Sequence, residues 1–447
     1  MLDVDFLIEN GKIYTMDTND TWYETGSIAI NNGHIVAIGP SHVIKKQYIA
    51  KEKINADGKY IFPGLINTHT HLFQTVLKGF AYDLHLHDWL NTVIRPYIPH
   101  LDAEVCYLAA LAGCIEALHS GATAILDYMY AHPQPNLSDV ILQAFDELGI
   151  RGFLARGFSE KLYGTNKQMG MVEEREDFLA DTLRLHFKYS NRIWLAPTAI
   201  WNMTDTGLRT VCDFAREHQI PITMHLNETK LDDTFCREQY NKTALAYLEE
   251  IGLLNQYFLA VHCVHIDARG ATTLKRNNVK ISYNPVSNMI LGSGAMPVAI
   301  FQKQQLNLSL GTDGAASNDS LNMLETMKIA ALLPKVISHD PTVISARDIM
   351  RMATIDGARA LGLEKEIGSL EAGKKADLII YNPLKPQSFP MHDPLATLVY
   401  TSNPTNIDTV IIDGKVVMTG NRIVTIDEER VLEKARIVAR RFVKKIY

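Results

Sequence analysis

The feature that most constrains this chain is a series of short apolar segments separated by stretches of helix length. From Pro63 to about residue 366, these segments alternate with amphipathic stretches of some ten to twenty residues. Such alternation is typical of a parallel sheet, and eight repeats over roughly 300 residues favour a closed (β/α)8 TIM barrel over an open sheet. The eight predicted strands are residues 60–66, 122–126, 152–155, 193–196, 222–224, 258–261, 280–282 and 308–311.

The two ends of the chain have a different pattern, with short β-type segments joined by tight turns. Asn10-Gly11 follows one such segment, and Asp413-Gly414 separates two others, which predicts a hairpin with a two-residue turn. Neither end is large enough to be stable alone, so we expect the two to pair. The predicted division is a small β-sandwich domain from residues 1–62 and 367–426, the barrel from 63–366, and a C-terminal helix from 427–447.

Composition limits the class of protein and its partners. The chain has 447 residues, 47% of them hydrophobic, and a formal net charge of -6 without a basic stripe. We therefore expect no nucleic-acid partner and no membrane span. The N-terminus lacks the basic start and apolar stretch of a signal peptide, and five widely spaced cysteines are poor evidence for disulfides. These features predict a cytoplasmic protein.

Polar residues follow the predicted strands at the point where each strand ends. His69 and His71 come after the first strand, and residues two apart on a strand point to the same side, so both imidazoles can reach one ion. The carboxyl ends of barrel strands meet at one rim, where active sites of this fold lie. The other polar strand ends are Asp127, Arg156, Thr198, His225 with Glu228, His262 and Asp313.

Four of these residues predict a metal site: His69, His71, His225 and Asp313. Histidines and a carboxylate from separate strand ends can hold a divalent ion with one position open for water. A second ion would need a bridging ligand such as a modified lysine, and residues 194–199 contain none. We expect one divalent ion per chain, with zinc favoured and iron as the alternative, because imidazole ligands disfavour magnesium and calcium.

The same rim supplies groups for proton transfer. A bound divalent ion lowers the pKa of water, which then becomes a nucleophile near neutral pH. Asp313 can accept the proton of that water, and Glu228, three residues past His225, can pass a proton to the substrate. His262 can hydrogen-bond the attacking oxygen as charge develops on it. The sequence thus predicts Glu228, His262 and Asp313 as catalytic residues.

Several motifs identify a family resemblance that covers nearly the whole chain. The chain resembles the amidohydrolase superfamily, in the branch of atrazine chlorohydrolase, melamine deaminase and the methylthioadenosine/S-adenosylhomocysteine deaminases. The resemblance implies a distorted (β/α)8 barrel, the four metal ligands and catalytic residues above, and a homodimer or larger homo-oligomer. The motifs are PGLINTHTHLFQT, MHLNET, VHCVH, NPVSNMILGSG, LGTDGAASNDSLNM, ATIDGARALG and GSLEAGKKADLIIYN.

The favoured activity is hydrolytic deamination of an amino-substituted nitrogen heterocycle of triazine, pyrimidine, purine or pterin type, with release of ammonia. The nucleoside deaminases of this branch carry a Glu after the Asp-Trp-Leu element and a His at the fourth strand end, where this chain has Ile98 and Thr198. We therefore expect free heterocycles to be better substrates than adenosine-type nucleosides.

The alternatives are a methylthioadenosine/S-adenosylhomocysteine-type nucleoside deaminase and a triazine hydrolase that expels chloride or alkylamine. Gly314 stands where the chlorohydrolase has an Asn, which disfavours dechlorination. Hydrolysis of a cyclic amide needs the same metal site, and a barrel kept only as a structural scaffold would not need the ligands together.

Six further residues are candidates for substrate contact. Gln74 follows the metal histidines, and its amide can read the edge of a ring. Trp89 can cover a flat ring, and Arg156 either contacts substrate or forms a buried ion pair with a carboxylate such as Asp127. The complete predicted set is Gln74, Trp89, Arg156, Thr198, Asn288 and Ser317.

Overall fold

The structure is a computed structural model that describes residues 1–80, 83–164 and 170–445. The N-terminal segment is mostly β structure, and its first strand is longer than the sequence predicts. Asn10-Gly11 does not end that strand but lies within it as an irregularity, with φ of 65° at Asn10 and a register shift on each side of Gly11. The segment contains β1 (Leu2–Tyr14), β2 (Trp22–Asn31), β3 (His34–Pro40), α1 (Ser41–Gln47), β4 (Tyr48–Asn55) and β5 (Tyr60–Pro63).

Eight parallel strands in sequential order form the central sheet, which confirms the predicted barrel. Its two edge strands come together through side-chain and backbone contacts. Thr68 Oγ1 donates to the carbonyl oxygen of Leu310 at 2.9 Å. The strands are β6 (Leu65–Thr70), β7 (Ala122–Met129), β8 (Arg151–Phe158), β9 (Ile193–Pro197), β10 (Ile222–Leu226), β11 (Phe258–His262), β12 (Lys280–Tyr283) and β13 (Asn307–Leu310).

Helices connect these strands, and their sequences carry the capping signals expected of them. Asp102, for example, precedes a long buried helix, and its side chain accepts a hydrogen bond from Val105 N. The helices are α2 (Leu86–Trp89), α3 (Ala103–His119), α4 (Leu137–Leu148), α5 (Arg175–Tyr189), α6 (Asp205–His218), α7 (Leu231–Tyr240), α8 (Ala244–Glu250), α9 (Ala268–Arg276), α10 (Pro285–Ile290), α11 (Val298–Lys303), α12 (Met323–Ser338), α13 (Ala346–Met352) and α14 (Ile355–Ala360).

The C-terminal segment returns to the N-terminal strands, as the sequence predicts. β14 pairs antiparallel with β5, so one mixed nine-stranded sheet contains both ends of the chain. The predicted hairpin is present, with φ of 51° at Asp413 and 73° at Gly414. The elements are β14 (Leu378–Tyr381), α15 (Pro394–Tyr400), β15 (Ile407–Ile412), β16 (Lys415–Thr419), β17 (Arg422–Ile423) and α16 (Glu428–Val443).

This sheet has its own apolar core, separate from that of the barrel. Ile8, Ile28 and Ile61 of the N-terminal strands pack with Ile380 and Ile411 of the C-terminal strands. Burial of side chains from both ends explains why neither end needs to be stable alone. Asp427 caps α16 by accepting from Arg430 N, while residues 446 and 447 of the predicted helix lie outside the described residues. The predicted domain boundaries stay predictions.

The chain passes from this sheet into the barrel at Gly64. Residues 60–66 are therefore two strands rather than the single predicted one. A Cβ at Gly64 would lie 2.1 Å from Thr123 Oγ1, so the close approach of the two chain segments requires glycine here. Gly64 N donates to the carbonyl oxygen of Asp377, which ties the crossing point to the C-terminal segment.

No described helix is long and apolar enough to span a bilayer. The five cysteines Cys106, Cys114, Cys212, Cys236 and Cys263 are all buried and unpaired, in agreement with the expectation of no disulfides.

A partly buried ion pair joins the barrel to the mixed sheet. Arg151 at the start of β8 donates from Nε and Nη2 to the two carboxylate oxygens of Asp377, at 2.7 and 2.9 Å. Replacing Arg151 with Ala leaves that buried carboxylate without its cation. We expect Arg151→Ala to lower the free energy of unfolding, measured by urea titration, by about 2–4 kcal/mol.

The matched control is Arg216→Ala, because Arg216 pairs with Asp213 at the surface. We expect that variant to stay within about 0.5 kcal/mol of the wild type. Equal effects of the two substitutions would contradict the proposed role of the Arg151–Asp377 pair.

Candidate active site

The four predicted metal ligands lie together at the carboxyl rim of the barrel. Asp313 Oδ1 is 3.3 Å from Nε2 of His69 and 3.3 Å from Nε2 of His71. His225 Nε2 is also 3.3 Å from His71 Nε2. Two overlapping groups, His69 with His71 and His225, and His69 with His262 and Asp313, each place their ligand atoms within 4.8 Å of one another.

The surrounding backbone fixes which nitrogen of each imidazole faces this centre. His71 Nδ1 donates to the carbonyl oxygen of Tyr128 at 2.6 Å, and His225 Nδ1 donates to that of Thr198 at 2.7 Å. With Nδ1 protonated, the lone pair of each ring lies on Nε2, which faces the cluster. His69 is fully buried, and neither of its ring nitrogens has a hydrogen-bond partner.

Asp313 is held by three donors in a loop beyond β13. Its Oδ2 accepts from the hydroxyls of Ser287 and Ser317, and its Oδ1 accepts from Gly314 N at 2.8 Å. Burial by itself would raise the pKa of Asp313, but the imidazole of His69, whose Nε2 lies 3.3 Å from Oδ1, and the other nearby imidazoles outweigh that effect and hold the pKa well below its ordinary value. The carboxylate is therefore ionised and can act as a ligand.

Burial also keeps the three histidine ligands neutral. It lowers the pKa of His69 to about 3, of His71 to about 4 and of His225 to about 3. A metal binds the unprotonated nitrogen of imidazole. The site therefore presents three neutral nitrogen donors and one carboxylate at neutral pH.

Glu228 and His262 form a second pair beside these ligands. Glu228 Oε2 lies 3.7 Å from His262 Nε2, and its Oε1 accepts from Ser293 Oγ at 2.9 Å. Burial raises the pKa of Glu228, which favours its protonated form. Asn288 Nδ2 donates to His262 Nδ1 at 2.9 Å, so the ring proton of His262 lies on Nε2, the nitrogen nearer Glu228.

A cavity opens directly above this centre. Its empty volume of about 610 Å³, which includes the open mouth, falls within the range of small-molecule sites. The residues that line it include the apolar side chains of Leu86, Leu90, Met171, Trp201 and Leu291. The centre forms one end of the cavity through His71, His225, Glu228, His262 and Asp313.

Four of the six predicted substrate contacts line this cavity: Gln74, Trp89, Thr198 and Ser317. Gln74 donates to Tyr130 OH at 2.9 Å, while its own Oε1 is buried without a partner. A Cβ at Gly314 would lie 1.9 Å from that oxygen, so glycine is needed where Gln74 approaches the loop. Trp89 Nε1 donates to the carbonyl oxygen of Ala316, which fixes the indole against the wall.

Arg156 does not reach the cavity, contrary to the prediction of a substrate contact. Its guanidinium is 2.6 Å from Glu173 Oε1 and 2.9 Å from Asp181 Oδ2. The alternative of a buried ion pair is correct in kind, but the partner is not Asp127. Asp127 instead accepts from Leu72 N at 2.7 Å, and burial raises its pKa to about 7.

Asn288 also lies outside the cavity wall, behind His262. It is thus placed to orient the imidazole rather than to touch a substrate.

The sequence did not single out several residues that line the cavity. Tyr130 follows β7 and packs edge-on to His71, with ring centroids 4.9 Å apart. Arg95 lies beyond the Asp-Trp-Leu element, and Trp201 and Asn202 lie just after Thr198. Position shortly after a strand end was the available signal for Tyr130. Nothing in the local pattern distinguishes Arg95 from a surface arginine.

The donor set fits a single divalent ion. Three imidazole nitrogens and one carboxylate oxygen converge, and His69 leaves both of its buried ring nitrogens without any hydrogen-bond partner. A buried polar atom without a partner costs free energy, and coordination to a metal would remove that cost. Imidazole and carboxylate together suit zinc or iron.

The unpaired imidazole of His69 leads to a prediction that separates metal binding from packing. Leucine has a similar size and leaves no polar atom unsatisfied, so we expect metal-free His69→Leu to be at least as stable as the metal-free wild type. Zinc at 100 times its Kd should stabilise the wild type by about 2.7 kcal/mol and the variant much less. Thermal unfolding with and without zinc measures both. If zinc stabilises the variant as much as the wild type, His69 is not a metal ligand.

Comparison with known proteins agrees with this geometry. A sequence model of the amidohydrolase family matches residues 60–417. A 5-methylthioadenosine/S-adenosylhomocysteine deaminase of Desulforudis audaxviator (strain MP104C) is 37% identical over 446 residues, covering 98% of this chain and 99% of that protein. A 5'-deoxyadenosine deaminase of Methanosarcina mazei is 35% identical, covering 99% of each.

Solved structures show the same architecture. An adenosine deaminase from Xanthomonas campestris with bound zinc superposes with a TM-score of 0.93 at 27% identity, covering 99% of both chains. An atrazine chlorohydrolase from Arthrobacter aurescens TC1 complexed with zinc and atraton superposes with a TM-score of 0.91 at 24% identity, covering 97% of this chain and 100% of that one, and this likeness concerns the fold alone. The family match over most of the barrel and the end-to-end similarity to these relatives mean that this chain belongs to the amidohydrolase family.

Proposed function

We propose that this protein is a zinc-dependent deaminase of adenosine-type nucleosides that differ from adenosine at the 5' position. The chain is a deaminase that hydrolyses a carbon–nitrogen bond of an amino-substituted nitrogen heterocycle. The observation that carries the proposal is the position of Glu228, a buried carboxyl with a raised pKa, beside four convergent ligands at one end of the cavity.

The chain's own residues supply the proton transfers of hydrolytic deamination. The ion, when bound, supplies Lewis-acid activation of water. Asp313, held ionised, accepts the proton of the attacking water and passes it to the amino group, which leaves as ammonia when the carbon–nitrogen bond breaks. Glu228, whose pKa is raised by burial, donates a proton to the ring nitrogen next to the carbon under attack, and Ser293 keeps its carboxyl oriented. His262 donates from Nε2 to the attacking oxygen.

The cavity suits an aromatic heterocycle with a further substituent. Trp89 and Trp201 provide apolar faces, and Gln74 presents a buried amide oxygen without a partner. An amide oxygen can accept from a ring nitrogen or an amino group of the substrate. Apolar lining residues such as Leu86 and Leu291 can contact the parts of a substrate outside its ring.

The nucleoside assignment replaces our expectation that free heterocycles are better substrates. That expectation rested on Ile98 and Thr198. Ile98 is buried in a short 3-10 turn and does not line the cavity. The lack of a carboxylate at this position therefore does not alter the residues that do line the cavity. The relatives at 35% and 37% identity are named as deaminases of 5'-modified adenosines, which supports the nucleoside alternative.

A substrate panel tests this proposal directly. We expect 5'-methylthioadenosine, S-adenosylhomocysteine or 5'-deoxyadenosine to be deaminated with a kcat/KM at least ten times that of adenine, melamine or cytosine. Ammonia release by zinc-loaded protein, compared as kcat/KM, measures transition-state discrimination. If a free heterocycle is the best substrate by more than tenfold, the nucleoside assignment is wrong.

Glu228→Gln is expected to retain the metal and lose activity. Glutamine keeps the shape of the side chain but cannot transfer a proton, so kcat/KM should fall by about 10²–10⁴-fold. Elemental analysis of wild type and variant should give one zinc per chain in both. The matched control is Glu238→Gln on the exposed face of α7, which should behave as wild type. Two tightly bound ions per chain, or normal turnover by Glu228→Gln, would contradict the mononuclear mechanism.

We further propose a homo-oligomer and a reducing, cytoplasmic location. Val336 and Ile337 at the end of α12 are 67% and 59% exposed, an apolar surface that a subunit contact would cover. The buried unpaired cysteines support the reducing compartment. Light scattering at micromolar concentration should give a multiple of the chain mass of 50.1 kDa, whereas the mass of one chain would contradict the oligomer.

A further inference from the structure

Two arginines of the described chain are buried, and they differ in how their charge is neutralised. Arg95 and Arg156 are each 2% exposed. Arg156 lies between the carboxylates of Glu173 and Asp181, in addition to contacts with His132 and a backbone carbonyl. A buried cation normally has such a partner, because desolvation of an unpaired charge is costly.

Arg95 has no carboxylate partner. Within residues 1–80, 83–164 and 170–445, no carboxylate oxygen lies within 4.0 Å of its guanidinium nitrogens. Nη1 donates to Asn91 Oδ1 at 2.6 Å, Nη2 makes a long 3.5 Å contact with the carbonyl oxygen of Tyr163, and Nε is buried without a partner. The N–H donors of the guanidinium are thus only partly paired with acceptors of the protein.

The position of Arg95 links this unpaired charge to the cavity. It follows directly on a π-helical turn, Leu90–Ile94, that continues α2, and such turns are frequent at functional sites. Arg95 lines the same cavity as the metal ligands. The two acidic side chains that line the cavity among the described residues, Glu228 and Asp313, belong to the metal end and make no ion pair with Arg95.

We propose that Arg95 binds a carboxylate of the substrate within this cavity. The inference rests on the proposed deaminase function, which places the reacting ring at the metal end. The planar guanidinium matches a carboxylate in geometry, and Nε with Nη2 offers the two parallel donors that a bidentate contact needs. Arg95 is therefore a specificity residue for substrates whose substituent carries an anion.

One cation favours a carboxylate over a phosphate group. Arg95 is the single Lys or Arg side chain among the described residues that line the cavity. A phosphate monoester carries a charge of about -1.5 to -2 near neutral pH, which one arginine does not balance. The nearby side chains Tyr130 and His87 are uncharged, since burial lowers the pKa of His87 and raises that of Tyr130.

The test compares a carboxylate with the matching carboxamide, so that size and shape stay constant. The substrates are S-adenosylhomocysteine and its carboxamide analogue, compared as kcat/KM with zinc-loaded protein. Binding of the deaminated forms of both compounds, which are not consumed, is measured by titration calorimetry. The proteins are the wild type, Arg95→Gln, Arg95→Lys and the surface control Arg216→Gln.

We expect the wild type and Arg216→Gln to prefer the acid over the amide by about 10- to 100-fold, the range for a hydrogen-bonded ion pair. The ratio should fall to near one in Arg95→Gln and be partly kept in Arg95→Lys. A purely structural role would change both compounds alike and leave the ratio unaltered.

A wild-type ratio near one, or the same ratio in Arg95→Gln as in the wild type, would overturn the proposal. If Arg95→Gln does not fold, the acid-to-amide ratios of the wild type and of Arg95→Lys test the proposal instead. If no adenosine derivative is deaminated, the proposed function fails, while the calorimetric ratio still tests Arg95. Absence of binding by either compound counts against the carboxylate site.

Discussion

Closure of the barrel between its first and last strands is the constraint on which the site depends. Asn67 and Thr312 are 245 residues apart in the chain, yet Asn67 Nδ2 donates to Thr312 Oγ1 at 2.8 Å. Asp313 N donates to the carbonyl oxygen of His69 across the same seam. This closure brings the carboxylate of Asp313 next to both histidines of the first strand. Without it, the His69/His71 pair would have two imidazoles and no anionic ligand.

Burial then gives each group at the rim its charge state. The same desolvation that keeps the imidazoles of His69 and His225 neutral raises the pKa of Glu228, whereas the adjacent imidazoles hold the pKa of Asp313 well below its ordinary value. Two carboxyl groups in one small site are thus set apart, one as a proton acceptor and one as a proton donor. Neutral imidazoles, an ionised ligand and a carboxyl group with a raised pKa suit the first step of hydrolytic deamination.

Much of this site could be predicted from the sequence because strand period and barrel topology are local, regular rules. His69, His71 and Asp313 were found from their positions at strand ends. Arg156 was found in the same way, but whether its long side chain turns inward or outward depends on Glu173 and Asp181 in the following segment. Arg95 was missed because its burial results from packing of distant elements. Gly11 was misjudged because a bulge and a turn share the same residue signal.

X-ray absorption spectroscopy of the zinc-loaded protein tests the central claim, that four side chains from three strand ends hold one ion. The account predicts three imidazole nitrogens at about 2.0–2.1 Å, a carboxylate oxygen at about 2.0–2.2 Å and a water or substrate position, with no zinc–zinc scattering. Wild type should differ from His225→Ala by the loss of one imidazole. A sulfur ligand, a second zinc near 3.5–4 Å, or an unchanged imidazole count in that variant would contradict the account.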